Sequence, residues 1–151
     1  MRAVLQRVRS ARVSVSGEVC GEIGPGLVVL LGVEQEEGPG DIEWLVRKIV
    51  QLRVFGDEEG KMNRSLLDIG GEVLLISQFT LYGSLRKGSR PSFNRAGNPE
   101  FSERVYQQVA DRLSESLGKK VAQGRFGEFM EIEMSCHGPV TLFIDTKARN
   151  F

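Results

Sequence analysis

An α+β domain, with two helices packed on a strongly curved and mostly antiparallel sheet, is predicted by three features of the 151-residue sequence. Short apolar runs recur at the two-residue period of strands. Two longer stretches place apolar residues at helical spacing. Glycine is abundant, 18 of 151 residues, as a chain of many turns requires. The length suits one domain, here residues 1–151, with a core of its own.

Residues 3–9 alternate, with Val4, Gln6 and Val8 on one side and Ala3, Leu5 and Arg7 on the other. Residues 11–15 place Val13 and Val15 on one face, Arg12 and Ser14 on the other. Ser16-Gly17 signals a turn, and 18–23 returns as a strand. Gly24-Pro25-Gly26 interrupts that run, and 27–33 follows as a strand buried on both faces. Gly38-Pro39-Gly40 ends this meander. Asp41 is the expected N-cap of a helix to about Leu52, its buried stripe being Ile42, Leu45, Val46, Ile49 and Val50. Residues 56–61 form an acidic turn, 73–81 the next strong strand, and 83–97 a long basic loop.

Asn98-Pro99-Glu100 starts the second helix with a cap, a first-position proline and a first-turn acid. Phe101, Val105, Val109, Leu113 and Leu117 line its inner face, and Gly118 ends it. A short strand at 120–123 follows. Two further strands, 129–135 and 140–144, are expected on either side of Cys136-His137-Gly138-Pro139.

The 20 basic and 20 acidic residues cancel, but unevenly. Residues 1–17 carry Arg2, Arg7, Arg9 and Arg12, and 73–99 carry Arg86, Lys87, Arg90 and Arg95, all without an acid. A basic loop beside an acidic body suits a polyanion such as RNA, or is simply a solvated loop. The longest apolar run, Leu27–Leu31, falls far short of the roughly 20 residues a membrane helix needs. With no export signal and two cysteines, Cys20 and Cys136, the chain reads as cytoplasmic with reduced thiols and no membrane partner.

Much catalytic chemistry is disfavoured by composition. One histidine, His137, and two distant cysteines fit no zinc spacing. Cys136 and His137 are adjacent, so an extended segment points them to opposite faces and they form no nucleophile–base dyad. A serine triad would have to use His137 as well, and no Gly-x-Ser-x-Gly elbow presents a serine. Gly83–Gly88 has phosphate-loop spacing, but Ser89 follows where lysine is needed. No acids cluster as a glycosidase pair would.

Two segments stand out. In Ser77-Gln78-Phe79-Thr80-Leu81-Tyr82 a buried strand turns polar on both faces. Its polar groups either satisfy the backbone at a strand end, or line a pocket with N–H groups and the Thr80 hydroxyl. In Gly138-Pro139-Val140-Thr141 a proline enters a strand, where it lacks a ladder donor. This is either a plain turn or a rigid loop whose carbonyls face a ligand.

Together these segments resemble the D-aminoacyl-tRNA deacylase (D-tyrosyl-tRNA deacylase) family, whose marks are a Ser-Gln-Phe-Thr-Leu-Tyr run and a Gly-Pro-Val-Thr run. Both stand unbroken at 77–82 and 138–141. The similarity extends to the opening Met1–Val8, the Lys87–Phe93 loop, and Arg125-Phe126-Gly127 with Met130. It implies a barrel-like fold and hydrolysis of the ester joining a D-amino acid to the 3′-terminal adenosine of tRNA, without a cofactor. It further implies a homodimer with active sites at the interface and a cis Gly-Pro bond reaching into the partner's pocket. By this resemblance Gly138 and Pro139 would hold the substrate amino group through main-chain carbonyls and leave no room for an L side chain. Phe79 and Thr80 would offer N–H groups to the ester carbonyl, Ser77 and Gln78 would shape the adenosine pocket, and Phe126 and Met130 would pack near the base. The 87–93 loop and Arg7 would lie near the RNA end or the interface.

The substrate's own 2′-hydroxyl, or Thr80 as nucleophile, would complete the chemistry, and glycine would be accepted along with D-amino acids. The alternatives are a tRNA-end-binding module without catalysis and a general esterase using Thr80 as nucleophile. Cys136-His137 departs from the Asn-Asp common in relatives, and His137 reads as a structural or rim residue. The tail at 145–151 is assigned no role.

Overall fold

The computed structural model describes residues 1–150. One long strand organises it. β1 (Arg2–Val15) pairs with β2 (Glu18–Ile23) through its second half and with β3 (Gly26–Gly32) through its first, both antiparallel. β2 and β3 thus run end to end along one edge of β1 rather than pairing with each other as the expected meander requires, because β1 is long enough to pair with both; the break between them falls at Gly24-Pro25, where the sequence places it. Residues 3–9 and 11–15 form one strand rather than two. The changed parity of the buried residues, Ala3 and Leu5 but then Val8, Ala11 and Val13, coincides with shifts of register against the strand on the opposite edge, between Gln6 and Val8 and between Val8 and Ser10.

Helix α1 (Pro39–Gln51) begins three residues before the sequence suggests. Gly38 is the N-cap, and Asp41 is the third residue of the helix, its carboxylate accepting from the Gly38 N–H at 3.1 Å. Burial opposes ionisation of Asp41, but hydrogen bonds from Lys147, the Gly38 amide and Arg149 outweigh it and bring its pKa down to about 2. The tail therefore anchors the start of α1; Phe151 lies outside the described residues. The acidic turn is the tip of a small hairpin, β4 (Phe55–Gly56) with β5 (Met62–Arg64), not anticipated from the sequence.

β6 (Glu72–Ser77) lies parallel to β3, making the sheet mixed, though antiparallel pairs predominate. It stops at Ser77, four residues short of the expected end. The chain then enters a 3-10 turn, Phe79–Tyr82, that packs directly on Gly32: a Cβ there would stand 2.9 Å from the Gln78 carbonyl oxygen. Helix α2 (Pro99–Leu117) has the foreseen boundaries, with Asn98 Oδ1 accepting from the Phe101 N–H at 2.9 Å and Gly118 at φ +65°.

β7 (Ala122–Gln123), parallel to β6, leads to β8 (Glu131–Asp145), which runs along the free edge of β1. The two strands expected at 129–135 and 140–144 are one, because the intervening Gly-Pro segment loops out without ending the pairing. The sheet curls until β7 meets β2: a Cβ on Gly21 would lie 2.8 Å from the Gln123 carbonyl oxygen. The result is a nearly closed, barrel-like sheet.

The helices cover one face around Leu5, Val29, Leu45, Ile49, Val109 and Leu113, and a second core of Val8, Val13, Val28, Leu74 and Ile76 fills the inside. Close approach of β3 to β6 depends on Gly26, where a Cβ would stand 1.9 Å from the Glu72 carbonyl oxygen. Gly26→Ala is expected to cost about 3 kcal/mol through this backbone overlap. Urea unfolding should show a lower midpoint with an unchanged slope.

Candidate active site

Val73 to Ile76 of β6 are fully buried, so the strand can surface only where its sequence turns polar. The Gln78 N–H still donates to the Leu31 carbonyl at 2.7 Å, extending the pairing with β3 by one residue. Phe79 and Thr80 then take the first two positions of the 3-10 turn, where backbone N–H groups have no acceptor within the helix. No hydrogen bond among the described residues occupies them. The turn is fixed from behind. Arg2 donates to the Leu81 carbonyl at 2.9 Å and to Asp145 at 3.0 Å, and its guanidinium lies 4.7 Å from the centre of the buried Tyr82 ring. On the outer side Phe93 of the basic loop meets Phe79 edge-on at 5.0 Å.

A cavity of about 540 Å³ opens beside this turn. Ser77, Gln78 and Phe79 line it together with Phe126 and Met130, so five of the sequence-derived site residues converge there. Its lining is mainly apolar with a few polar groups, the usual character of a pocket for a flat organic ligand. Thr80 stands next to it rather than in its wall. The Gln78 amide donates to the Thr80 hydroxyl at 2.5 Å, and no ionisable side chain among the described residues bonds that hydroxyl.

Gly138 and Pro139 lie elsewhere, exposed on β8 and away from this cavity. Their peptide bond is cis. Cys136 pairs with Val8 and Thr141 with Gln6, so residues 137–140 bulge out opposite the single Arg7. Gln6 and Arg7 hold the bulge at its two ends. Arg7 Nε donates to the His137 carbonyl at 2.9 Å, while its Nη1 donates to the Val54 carbonyl. Gln6 donates to the Val140 carbonyl at 3.3 Å and accepts from the Thr141 hydroxyl at 2.5 Å. Gly138 has φ +133°, and a Cβ there would lie 2.8 Å from the Val140 nitrogen and 3.2 Å from Arg7 Nη2. Arg7 thus serves the Gly-Pro bulge. The clamping role of Gln6 had no signal in the sequence beyond its place opposite Thr141, which only register reveals.

The profile of the family described as D-Tyr-tRNA(Tyr) deacylase matches residues 4–145. The chain belongs to this family. A D-aminoacyl-tRNA deacylase from Symbiobacterium thermophilum is 54% identical over 147 residues, covering 97% of each chain. Among solved structures, a c-Myc DNA unwinding element binding protein superposes with TM-score 0.91 at 39% identity, over 96% of this chain and 98% of that one. A probable eukaryotic D-amino acid tRNA deacylase shares the fold at TM-score 0.83 and 16% identity, over 95% and 97% of the two chains. Membership in a deacylase family makes the protein a hydrolase, and an acyl-bond hydrolase needs donors for a developing oxyanion. The unoccupied N–H groups of Phe79 and Thr80 beside the cavity have that character. No helix among the described residues is long and apolar enough to cross a membrane.

Proposed function

We propose that the protein hydrolyses the ester between a D-amino acid and the 3′-terminal adenosine of tRNA, releasing free amino acid and tRNA, and so proofreads chirality in translation. The observation that carries this reading is the pair of free main-chain donors at Phe79 and Thr80, set beside a mainly apolar cavity whose one ionisable lining residue, Glu128, is hydrogen-bonded to neither Ser77, Gln78 nor Thr80. In this reading the adenosine occupies the cavity between Gln78 and Phe126, with Met130 near the base and Ser77 shaping the wall. Water adds to the ester carbonyl, the two N–H groups take the oxyanion, and the ribose 3′-oxygen leaves with a proton. An aminoacyl ester is activated enough that such donors, each worth on the order of a hundredfold in rate, make a large contribution.

The neighbouring 2′-hydroxyl of the substrate assists in place of a protein base. Thr80 as nucleophile is the weaker alternative, because its hydroxyl is engaged by a neutral amide. The exposed Gly138-Pro139 bulge, clamped by Gln6 and Arg7, suits insertion into the cavity of a second copy, where its carbonyls would hold the substrate amino group. The functional unit is then a homodimer acting in the cytoplasm. Main-chain recognition of this kind excludes L side chains and admits glycine. Arg86, Lys87 and Arg90, absent from the ion pairs of the described residues, extend a basic loop suited to the tRNA backbone.

The test is deacylation of D- and L-tyrosyl-tRNA by the purified protein. Release of D-tyrosine with L-tyrosyl-tRNA left intact is expected. Equal lability of both esters with and without protein would leave only a tRNA-end-binding module. Sedimentation should give about twice the 16.8 kDa chain mass, and a monomer at working concentration would remove the cross-subunit site.

A further inference from the structure

Phe129 is 91% exposed, the most of any large apolar side chain among the described residues. Its setting is local and specific. Gly127, at φ +77°, and the Glu128 N–H donating to the Arg125 carbonyl at 3.2 Å turn the chain sharply between Phe126 and Met130. Those two flanking side chains turn inward: the Phe126 ring lies 5.8 Å from Tyr106, and Met130 packs on the inner core. Phe129 turns out, takes part in no aromatic pair of the fold, and yet borders the same cavity. Packing gives no reason for a phenylalanine here.

We infer that Phe129 is a stacking platform for the base of the nucleotide preceding the terminal adenosine. The inference rests on the cavity being the adenosine site, as proposed above. A single strand whose last base enters the cavity must carry its preceding base across the rim. A rigid aromatic face at that rim stacks any base and loses little conformational freedom in doing so. The charges on this side point to a base rather than a phosphate. Glu128 is acidic, Arg125 is paired with Glu18 at 3.1 Å, and the lining of the cavity includes no lysine or arginine. Arg86, Lys87 and Arg90 of the 83–97 loop are absent from the ion pairs of the described residues and suit the backbone beyond.

Two non-hydrolysable probes test this: 3′-deoxyadenosine bearing D-tyrosine through a 3′-amide, and the same group ending a cytidine-cytidine-adenosine trinucleotide. For the wild-type protein the trinucleotide should bind about tenfold more tightly than the mononucleoside. Phe129→Ala should bring that ratio close to one, and Phe129→Tyr should keep it. A fluorescent cytidine analogue next to the adenosine should be quenched by the wild type and not by Phe129→Ala. An unchanged ratio in Phe129→Ala overturns the inference. So does a change in its sedimentation mass, which would mean that a second copy of the chain covers the ring. If the wild type binds the mononucleoside but gains nothing from the extra nucleotides, this inference alone fails. If it binds neither probe, the adenosine assignment fails and takes the inference with it.

Discussion

Gly138→Ala is expected to lower kcat/KM for D-tyrosyl-tRNA by about a hundredfold or more while leaving the protein folded. A methyl group at φ +133° would stand 2.8 Å from the Val140 nitrogen and 3.2 Å from Arg7 Nη2. One of these neighbours is backbone, so the loop itself must move. Side chains other than glycine at such angles cost about 1–3 kcal/mol. A displacement near 1 Å in a substrate-positioning element is enough for a loss of about two orders of magnitude. The core is spared because Gly138 is exposed, outside both buried clusters and outside the register of β8 with β1. Gly17→Ala is the matched control. Gly17 also has a left-handed backbone, φ +80°, but nothing within 4 Å of the added methyl, and it sits in the distant β1–β2 turn. Both variants should lose a few degrees of Tm, at about 2–4 °C per kcal/mol for a chain of this size. Only Gly138→Ala should lose activity. A fully active Gly138→Ala protein would detach the Gly-Pro bulge from the reaction.

The contrast between these two glycines shows what sequence could and could not convey. Asn98-Pro99 and Gly118 bound α2 because capping chemistry is local, and the structure keeps both limits. Most strands could be located from alternation that neighbouring residues carry themselves, but their pairing could not: the expected meander gives way to β2 and β3 lying end to end beside β1. Among the boundaries that shifted, those of β6 and β8 moved for reasons that lie far along the chain. β6 ends at Ser77 because the following turn packs on Gly32, about fifty residues upstream. β8 runs unbroken through Pro139 because β1 supplies a partner on both sides of the bulge. Asp41 gives up the N-cap to Gly38, since Pro39 already fits the first helical position. The site divides in the same way. Residues 77–82 could be singled out by polarity entering a buried strand, but their association with Phe126 and Met130 is a product of sheet curvature. The hold of Gln6 and Arg7 on the bulge depends on cross-strand register, which no short motif encodes. Phe129 carried no motif, and only its exposure at the cavity rim marks it.

Phe79→Pro, compared with Phe79→Ala, separates main-chain catalysis from side-chain catalysis. Both substitutions remove the ring and its edge contact with Phe93; only proline also removes the N–H. Position 79 can accept proline. It is the first residue of the 3-10 turn, where proline's fixed φ fits and the missing N–H breaks no helical bond. The preceding Gln78 is already non-helical, at φ −145° and ψ 76°, so the restriction proline places on its predecessor is mild. Phe79→Pro should therefore fold with a Tm close to that of Phe79→Ala. Its kcat on D-tyrosyl-tRNA should nevertheless fall on the order of a further hundredfold, the worth of one oxyanion donor. Thr80→Val supplies the opposite control, since it deletes the hydroxyl and keeps the N–H. A change of no more than a few-fold is expected, because that hydroxyl accepts from Gln78 and has no base to activate it. If Thr80→Val were instead the inactive variant and Phe79→Pro matched Phe79→Ala, the nucleophile would be the threonine and the peptide groups mere scaffold. Single-turnover rates are the proper readout, because they report the chemical step apart from tRNA binding and release.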